Sequence, residues 1–165
     1  MKKTIFNASG LASILLVSAL ALPTTAFAVD ENNVVSGLTA TGAPLGFHGF
    51  DPVATISIGN PVEGTATYAA VHDGVAYYFA SEKNVIIFNK SPEKYIPQSG
   101  GFCTFGVPKG KKFDGDPQYS SVVDGKLYVF LNENIFKLFL KNQQDTIAKA
   151  ESQWKNIQST AAVEL

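Results

Sequence analysis

Two Asp-Gly pairs, each between runs of β-forming residues, constrain the fold of this chain most. Asp73-Gly74 separates residues 65–71 from residues 75–79, two segments in which apolar and polar side chains alternate. Asp124-Gly125 is flanked in the same way by β-branched and aromatic residues. Because Asp-Gly fits the two-residue turns with positive φ that close β-hairpins, the sequence predicts two antiparallel hairpins.

Helices are predicted from capping residues and from the spacing of apolar side chains. Their predicted N-caps are Ser81 for a helix to about residue 89, Asn132 for residues 133–141 with Ile135, Leu138 and Phe139 inward, and Asp145 for a helix to about residue 158. Residues 53–58 fit either a strand or a short helix. No internal repeat is evident. The prediction is one α+β domain, with small antiparallel β-hairpins packed against three or four helices.

Residues 1–28 have the features of a secretory signal peptide. Lys2 and Lys3 precede an apolar stretch at residues 11–22, and Ala26-Phe27-Ala28 supplies a cleavage pattern of small residues. A spanning helix needs about 20 apolar residues, and this run is interrupted at Pro23. We therefore expect cleavage after Ala28, a periplasmic or secreted protein, and no membrane span in the mature chain.

Charge and cysteine content narrow the function classes. The 165-residue chain has a net charge of −1, and loss of Lys2 and Lys3 with the signal peptide would make it −3. The chain contains no arginine and no stripe of lysines among aromatic residues, so we expect no nucleic-acid partner. Cys103 is the single cysteine, which excludes a disulfide within the chain, so stability must come from packing.

Several sequence blocks carry a resemblance to one family. Tyr77-Tyr78-Phe79-Ala80-Ser81 and Ser91-Pro92-Glu93-Lys94-Tyr95 follow Asp51-Pro52-Val53, and together they resemble the YHS domain. Later blocks around Cys103 and Asp124-Gly125 resemble longer exported proteins that contain this domain. The resemblance implies the following layout: a signal peptide at residues 1–28, an extended N-terminal leader at 29–45, a YHS-like domain at 46–158 and a C-terminal tail at 159–165.

Three positions depart from the metal-binding members of that family. As the resemblance implies, cysteines in those members follow Asp-Pro-Val, stand between Phe and Ser, and recur four residues later. This chain has Ala54, Ala80 and Asn84 at these positions. Neither a methyl group nor an amide replaces a thiolate ligand for a soft or borderline metal. We therefore expect the cysteine metal site to be lost and no cofactor to be bound.

A small-ligand site is expected near the glycine-rich loop at residues 100–106, where the backbone can approach a ligand closely. The candidate ligand-binding residues are Cys103, His48, Asp51, Gly100, Gly101 and Tyr78. For Asp51 we also expect a capping role beside Pro52. The sequence has no nucleophile elbow, HExxH motif, phosphate loop or CxxC pair. We therefore expect a non-catalytic protein that binds an unknown small molecule or an envelope protein.

Two other interpretations stay open at this point. His48, His72 and Cys103 offer two imidazoles and a thiol, a set that could hold copper or zinc in the cell envelope. Cys103 could instead be a redox-active or reactive thiol, because three lysines follow it closely and could favour its thiolate. The opposite alternative is that Cys103 is a small buried residue, since free cysteine is among the most buried residue types.

Overall fold

The computed structural model describes residues 32–165, and both predicted hairpins are present in it. Their strands are β3 (Thr65–His72) with β4 (Val75–Phe79), and β5 (Asp116–Val123) with β6 (Lys126–Phe130). Both pairs are antiparallel. Asp73 and Asp124 have φ values of 47° and 51°, and a glycine with positive φ follows each, as this class of hairpin turn requires.

The first sheet has two further short strands, β1 (Val34–Val35) and β2 (Leu45–Gly46). Its strand order is β1-β2-β4-β3, and β2 runs parallel to β4. The described part of the expected leader, residues 32–45, therefore adds strands to the edge of this sheet. The predicted signal peptide and residues 29–31 lie outside the described residues. Between residues 32 and 165, no helix combines the length and apolar character that crossing a membrane requires.

The longer helices are α1 (Pro52–Ile58), α2 (Glu82–Lys90), α3 (Glu133–Leu140) and α4 (Gln143–Ile157). Residues 53–58 are thus helical, with Pro52 at the first position, where its missing N–H costs nothing. The predicted caps of α2 and α3 are confirmed. The Ser81 hydroxyl accepts the N–H of Asn84, and the Asn132 side chain accepts the N–H of Ile135.

The start of α4 differs from the prediction. The helix begins at Gln143, so Asp145 lies inside its first turn rather than at the cap. The Asp145 carboxylate is 2.7 Å from Nζ of Lys149 and accepts the side-chain amide of Asn142 at 3.2 Å. Two nearby polar residues could each have capped this helix, and the short connection from α3 leaves Asn142 as the boundary.

The second hairpin and its helix repeat the first hairpin and its helix at a constant offset along the chain. The number of residues from the start of β3 to the start of β5 equals the number from β4 to β6. It also equals the number from α2 to α3. The register is also the same, with an irregularity between Thr65 and Ala69 in the first hairpin and between Asp116 and Ser120 in the second. We call residues 46–90 the first unit and residues 98–141 the second unit.

The segments before the two hairpins repeat as well. Residues 47–49 and residues 99–101 all have positive φ, although half of these six residues are not glycine. Each turn is closed by a backbone bond from the residue that follows it: Phe50 N–H to Phe47 O at 2.9 Å and Phe102 N–H to Ser99 O at 3.1 Å.

Asp51 and Cys103 occupy equivalent places after these turns. The N–H of Asp51 donates to Val62 O at 2.7 Å, and the N–H of Cys103 donates to Phe113 O at 2.9 Å. Val62 and Phe113, which supply these acceptors, are separated by the same number of residues as the equivalent strands of the two hairpins. The two units therefore share the backbone bonds that close the left-handed turn and fix the residue after it.

The expectation that the chain has no internal repeat is therefore wrong. Across residues 65–90 and 116–141, nine of the 26 aligned positions are identical. The identical pairs are Tyr68 and Tyr119, Val71 and Val122, Asp73 and Asp124, Gly74 and Gly125, Tyr77 and Tyr128, Phe79 and Phe130, Glu82 and Glu133, Phe88 and Phe139, and Lys90 and Lys141. Most of these residues shape the turn or fill the core, where shape constrains the side chain most.

Strand β6 joins the two units into one domain. Leu127 and Val129 are fully buried and belong to the core cluster of the first unit. Tyr128 and Phe130, on the other face of the strand, pack with Phe139 of α3 in a second cluster. Because side chains alternate between the faces of a strand, β6 contributes to both cores at once. The predicted single α+β domain is confirmed.

A buried lysine attaches the end of α4 to the second unit. Lys112 is 7% exposed, and its Nζ donates to the carbonyl oxygens of Gln158 and Thr160 at 2.8 and 2.7 Å. The same Nζ lies 5.3 and 5.2 Å from the ring centroids of Phe102 and Trp154. These carbonyls and rings replace much of the water that the ammonium group loses on burial.

Candidate functional site

The Asp51 carboxylate accepts three hydrogen bonds in the interior of the first unit. Asp51 is fully buried and caps α1, where its Oδ1 accepts the N–H of Ala54 at 2.8 Å. Its Oδ2 accepts the N–H of Ala80 and the side-chain amide of Asn84, both at 2.7 Å. The predicted capping role of Asp51 is confirmed. The three donors stand at the three positions where the family resemblance implies cysteines.

This arrangement has clear chemical limits. Methyl groups such as those of Ala54 and Ala80 cannot coordinate a metal ion, and the Asn84 amide nitrogen is committed to Asp51. These three side chains therefore supply none of the thiolates that the family resemblance implies at their positions. The arrangement does fit a buried carboxylate, since charge-assisted bonds from several N–H groups offset the loss of water around it.

Cys103 is the counterpart of Asp51 in the second unit. Its side chain is 1% exposed, and its Sγ accepts the N–H of Leu131 at 3.2 Å. Leu131 is equivalent to Ala80, whose N–H binds Asp51 in the first unit. Nearby lysines are engaged elsewhere, because Lys109 lies 4.3 Å from the Phe105 ring centroid and Lys112 binds backbone carbonyls. The thiol is thus a buried hydrogen-bond acceptor.

The predicted loop at residues 100–106 is held by the chain itself. Asn33 donates its N–H to Gly100 O at 2.7 Å and its side-chain amide to Gly101 O at 3.1 Å. Oδ1 of Asp114 accepts the same amide at 2.7 Å and lies 2.9 Å from Nε2 of His48. This polar cluster therefore connects the left-handed turn of each unit through Asp114.

The alternative metal site is not assembled. Nε2 of His72 lies 3.4 Å from a carboxylate oxygen of Asp73 and 3.7 Å from one of Glu93. His48 pairs with Asp114, and Cys103 is buried beneath β6. Over residues 32–165, no three histidine, cysteine or acidic side chains are grouped so that they could hold a metal ion. The hypothesis that His48, His72 and Cys103 converge is therefore wrong.

Among the predicted ligand-binding residues, His48 and Tyr78 share a hollow. It measures about 240 Å³ and also has Glu63 in its wall. A wider groove of about 650 Å³ runs along residues 32–44 and 71–75. That groove begins at the first described residue, and Asp73 is the one charged side chain in its described wall. Neither feature combines a small-molecule volume with a set of charged groups.

The second unit contains a third cavity, of about 420 Å³, which we call the lysine cleft. Its apolar walls are Phe105, Pro108 and Leu138, and its basic side chains are Lys109, Lys141 and Lys149. It lies between residues 105–109, the end of α3 and the first turns of α4. Leu138, predicted to face the core, is 45% exposed because it borders this opening. Sequence reasoning missed the cleft because its lysines come from three separate segments.

Two equivalent tyrosines have raised pKa values. Burial, with a smaller effect of the Asp73 charge, raises the pKa of Tyr77 far above its usual range. Burial also raises the pKa of Tyr128, although the Lys126 charge opposes this shift and Glu151 adds to it. Both phenols are therefore held in the neutral form, and of the two only Tyr128 has a nearby cation, Lys126, that lowers its pKa.

Comparison with known proteins finds one family, and its match begins within the first unit and ends at residue 99. The model of the YHS domain matches residues 58–99, a span that includes the first hairpin, α2, Ala80 and Asn84. No curated protein matches the chain, and no solved structure matches it. Asp51 and Ala54 precede the matched span, and Cys103 follows it. The blocks at residues 77–81 and 91–95 that indicated the family lie inside the match, whereas Asp51-Pro52-Val53 precedes it. A YHS domain is therefore found at residues 58–99.

Proposed function

We propose that this chain is an exported, non-catalytic binding protein for a small molecule, in which the metal site associated with the YHS domain has been lost. The observation that carries the proposal is the Asp51 network. The YHS domain is a family often associated with metal binding. In this chain Ala54, Ala80 and Asn84 instead donate hydrogen bonds to one buried carboxylate.

The lysine cleft supplies the binding site in this proposal. Its volume of about 420 Å³ falls in the range of about 300–1,000 Å³ that is usual for small-molecule sites. Its walls combine apolar surface with a few charged groups, the composition expected of a site that both buries and orients a ligand. The cleft also begins at Phe105, within the loop expected from the sequence to border a ligand site.

Two further observations support the remaining parts of the proposal. Export is supported by the basic, apolar and small-residue segments of residues 1–28. The non-catalytic role is supported by the lack of a catalytic motif in the sequence and by the burial of Cys103, the strongest nucleophile in the chain. Recovery of a processed protein whose first residue is Val29 would support export, whereas an unprocessed protein in the cytoplasm would contradict it.

The loss of the metal site can be tested by restoring it. We expect the purified protein to retain no stoichiometric Zn(II) after dialysis. The triple variant Ala54→Cys, Ala80→Cys, Asn84→Cys should gain one equivalent, because it returns thiolates to the three positions. The matched control, with serine at the same positions, should gain none. One tightly held equivalent in the unaltered protein that disappears in Asn84→Ala would contradict the proposal.

A further inference from the structure

We propose that the lysine cleft binds an amphipathic anion, a molecule with one anionic head group and a short apolar body. This inference rests on the proposed small-molecule function and specifies the chemical class of the ligand. It depends on three observations: the charges around the cleft, the apolar surface inside it, and the contrast with the same place in the first unit.

The charge around the cleft is strongly positive. Lys109, Lys141 and Lys149 border it, whereas Asp145 is the one acidic side chain among its lining residues. Asp145 already pairs with Lys149 at 2.7 Å. The described lining therefore carries a net charge of +2, in a chain whose net charge is −1. Such a concentration of one sign in a cleft favours a ligand of the opposite sign.

The apolar part of the cleft defines the rest of the ligand. Phe105, Pro108 and Leu138 present carbon surface to the cavity, and Leu138 is 45% exposed. Covering such surface would stabilise a complex by about 25 cal/mol for each Å² removed from water. A bare inorganic anion would leave this surface wet, so charge and apolar area together indicate an amphipathic molecule.

The cleft has lysines rather than arginines, and this difference determines how well it can distinguish a carboxylate from a phosphate head group. An ammonium group is a compact point charge, without the fixed fork through which arginine recognises carboxylate or phosphate in two-point geometry. The cleft should therefore accept a carboxylate or a phosphate head group by charge. One lysine is partly engaged, since Nζ of Lys109 lies 4.3 Å from the Phe105 ring centroid.

The equivalent place in the first unit is filled. There α1 contacts α2, and Ile56 and Ile87 are half-buried against the core cluster. In the second unit the stretch from Cys103 to Gly110 is one residue shorter than the stretch from Asp51 to Gly59, and a 3-10 turn replaces the end of the α-helix. Leu138, the counterpart of Ile87, is consequently exposed.

Calorimetric titration with octanoate tests the inference directly. We expect saturable binding of octanoate, binding of octanamide at least tenfold weaker, and no detectable binding of acetate, because octanamide lacks the charge and acetate lacks the chain. Equal binding of octanoate and octanamide would overturn the anionic assignment while leaving the small-molecule function standing. Binding of none of these probes would overturn the assignment of an amphipathic anion to the cleft.

Matched variants locate the site. Lys141→Gln should weaken octanoate binding about threefold to tenfold, whereas Lys90→Gln, at the equivalent exposed position of the first unit, should not change it. Leu138→Ala should weaken binding, whereas Leu140→Ala, which is 47% exposed outside the cleft lining, should not. Unchanged circular dichroism would show that each variant folds. Equal effects within either pair would contradict the assignment to this cleft.

A vesicle experiment distinguishes a free ligand from a membrane surface. Because the cavity is of small-molecule size, we expect no co-sedimentation with phosphatidylglycerol vesicles under conditions where octanoate binds. Co-sedimentation that is lost in Lys141→Gln, without binding of free octanoate, would assign the lysines to a lipid surface and overturn the proposal.

Discussion

The two units use different chemistry at the same structural position. In the first unit the side chain after the left-handed turn is a carboxylate that accepts three hydrogen bonds. In the second it is a thiol, for which the described contact is one bond from Leu131 N–H at 3.2 Å. The backbone bonds that close the turn and hold the residue after it are equivalent in both units, although Thr104 N–H also donates to Val129 O at 2.9 Å, a bond that Pro52 cannot make. The same turn is thus followed by a carboxylate acceptor in one unit and a thiol acceptor in the other. The chemical group at this position cannot be inferred from its place in the fold.

The units also differ in what their short helices cover. Helix α1 lies against α2 in the first unit, whereas the corresponding turn in the second unit borders the lysine cleft. One unit is therefore closed around a buried carboxylate, and the other is open beside three lysines. Three comparisons between equivalent residues test this difference between the units.

The largest effect is expected at Asp51. Asp51→Ala leaves the N–H groups of Ala54, Ala80 and Asn84 without their acceptor, and we expect a loss of about 3 kcal/mol or more in the free energy of unfolding. Cys103→Ala should cost only about 1 kcal/mol, because one weaker bond is lost. Urea denaturation measures both. Equal losses would contradict the difference between the two acceptors.

Burial of the thiol in the second unit gives this comparison an independent control. A thiol reagent should label Cys103 slowly in the native protein and rapidly in urea, because labelling requires an opening of the structure. Rapid labelling of the native protein at neutral pH would revive the alternative of a reactive thiol.

An intermediate and similar effect is expected at the two helix caps. Ser81→Ala and Asn132→Ala each remove a side-chain acceptor from the first turn of a helix, and each should cost about 1 kcal/mol of stability. Chemical denaturation of the two variants in parallel checks the symmetry. A cost several times larger in one unit would show that its cap also supports tertiary contacts.

The smallest effect is expected at the tyrosines and appears only at alkaline pH. Because the pKa of Tyr77 is raised on folding, its contribution is fully present below the unfolded pKa of about 10 and is lost as the pH rises toward the folded value. At pH 10.5 the unfolded state should gain somewhat less than about 1 kcal/mol from this group.

The matched variants are Tyr77→Phe and Tyr128→Phe. The former should remove more of the alkaline loss of stability, because the Lys126 charge opposes the raised pKa of Tyr128 whereas Asp73 reinforces that of Tyr77. Denaturation at pH 8 and pH 10.5 measures the difference. A larger effect for Tyr128→Phe would reverse the assignment of the charges.

Local features of this fold can be predicted from the sequence, and long-range ones cannot. The Asp-Gly turns and the caps at Ser81 and Asn132 depend on a few adjacent residues, and their predictions are confirmed. The predicted start of α4 is wrong because the helix begins at Gln143 without a side-chain cap, and the Asp145 carboxylate binds Asn142 and Lys149 instead of a backbone N–H. The repeat is hard to detect because few aligned residues are identical and the second unit is one residue shorter within the segment after Asp51.

The candidate site could also be predicted from the sequence only where it depends on adjacent residues. Asp51 is recognisable as a cap, but its bonds to Ala80 and Asn84 join residues that are distant in sequence and need the folded chain. The alternative of a metal site formed by His48, His72 and Cys103 fails because each of these side chains has other partners in the fold. The lysine cleft combines three segments, and no local pattern brings Lys109 to Lys141.

The position of β6 determines where the chain can be truncated without loss of the fold. Leu127 and Val129 complete the core around Phe79 and Phe88, although both follow the matched span at residues 58–99. A fragment that ends at residue 99 would expose that core to water and should aggregate rather than fold. The span matched by the family is shorter than the part of the chain that folds cooperatively. A protein truncated at residue 99 would therefore show a loss of folding, and its failure to bind a ligand would say nothing about the binding site.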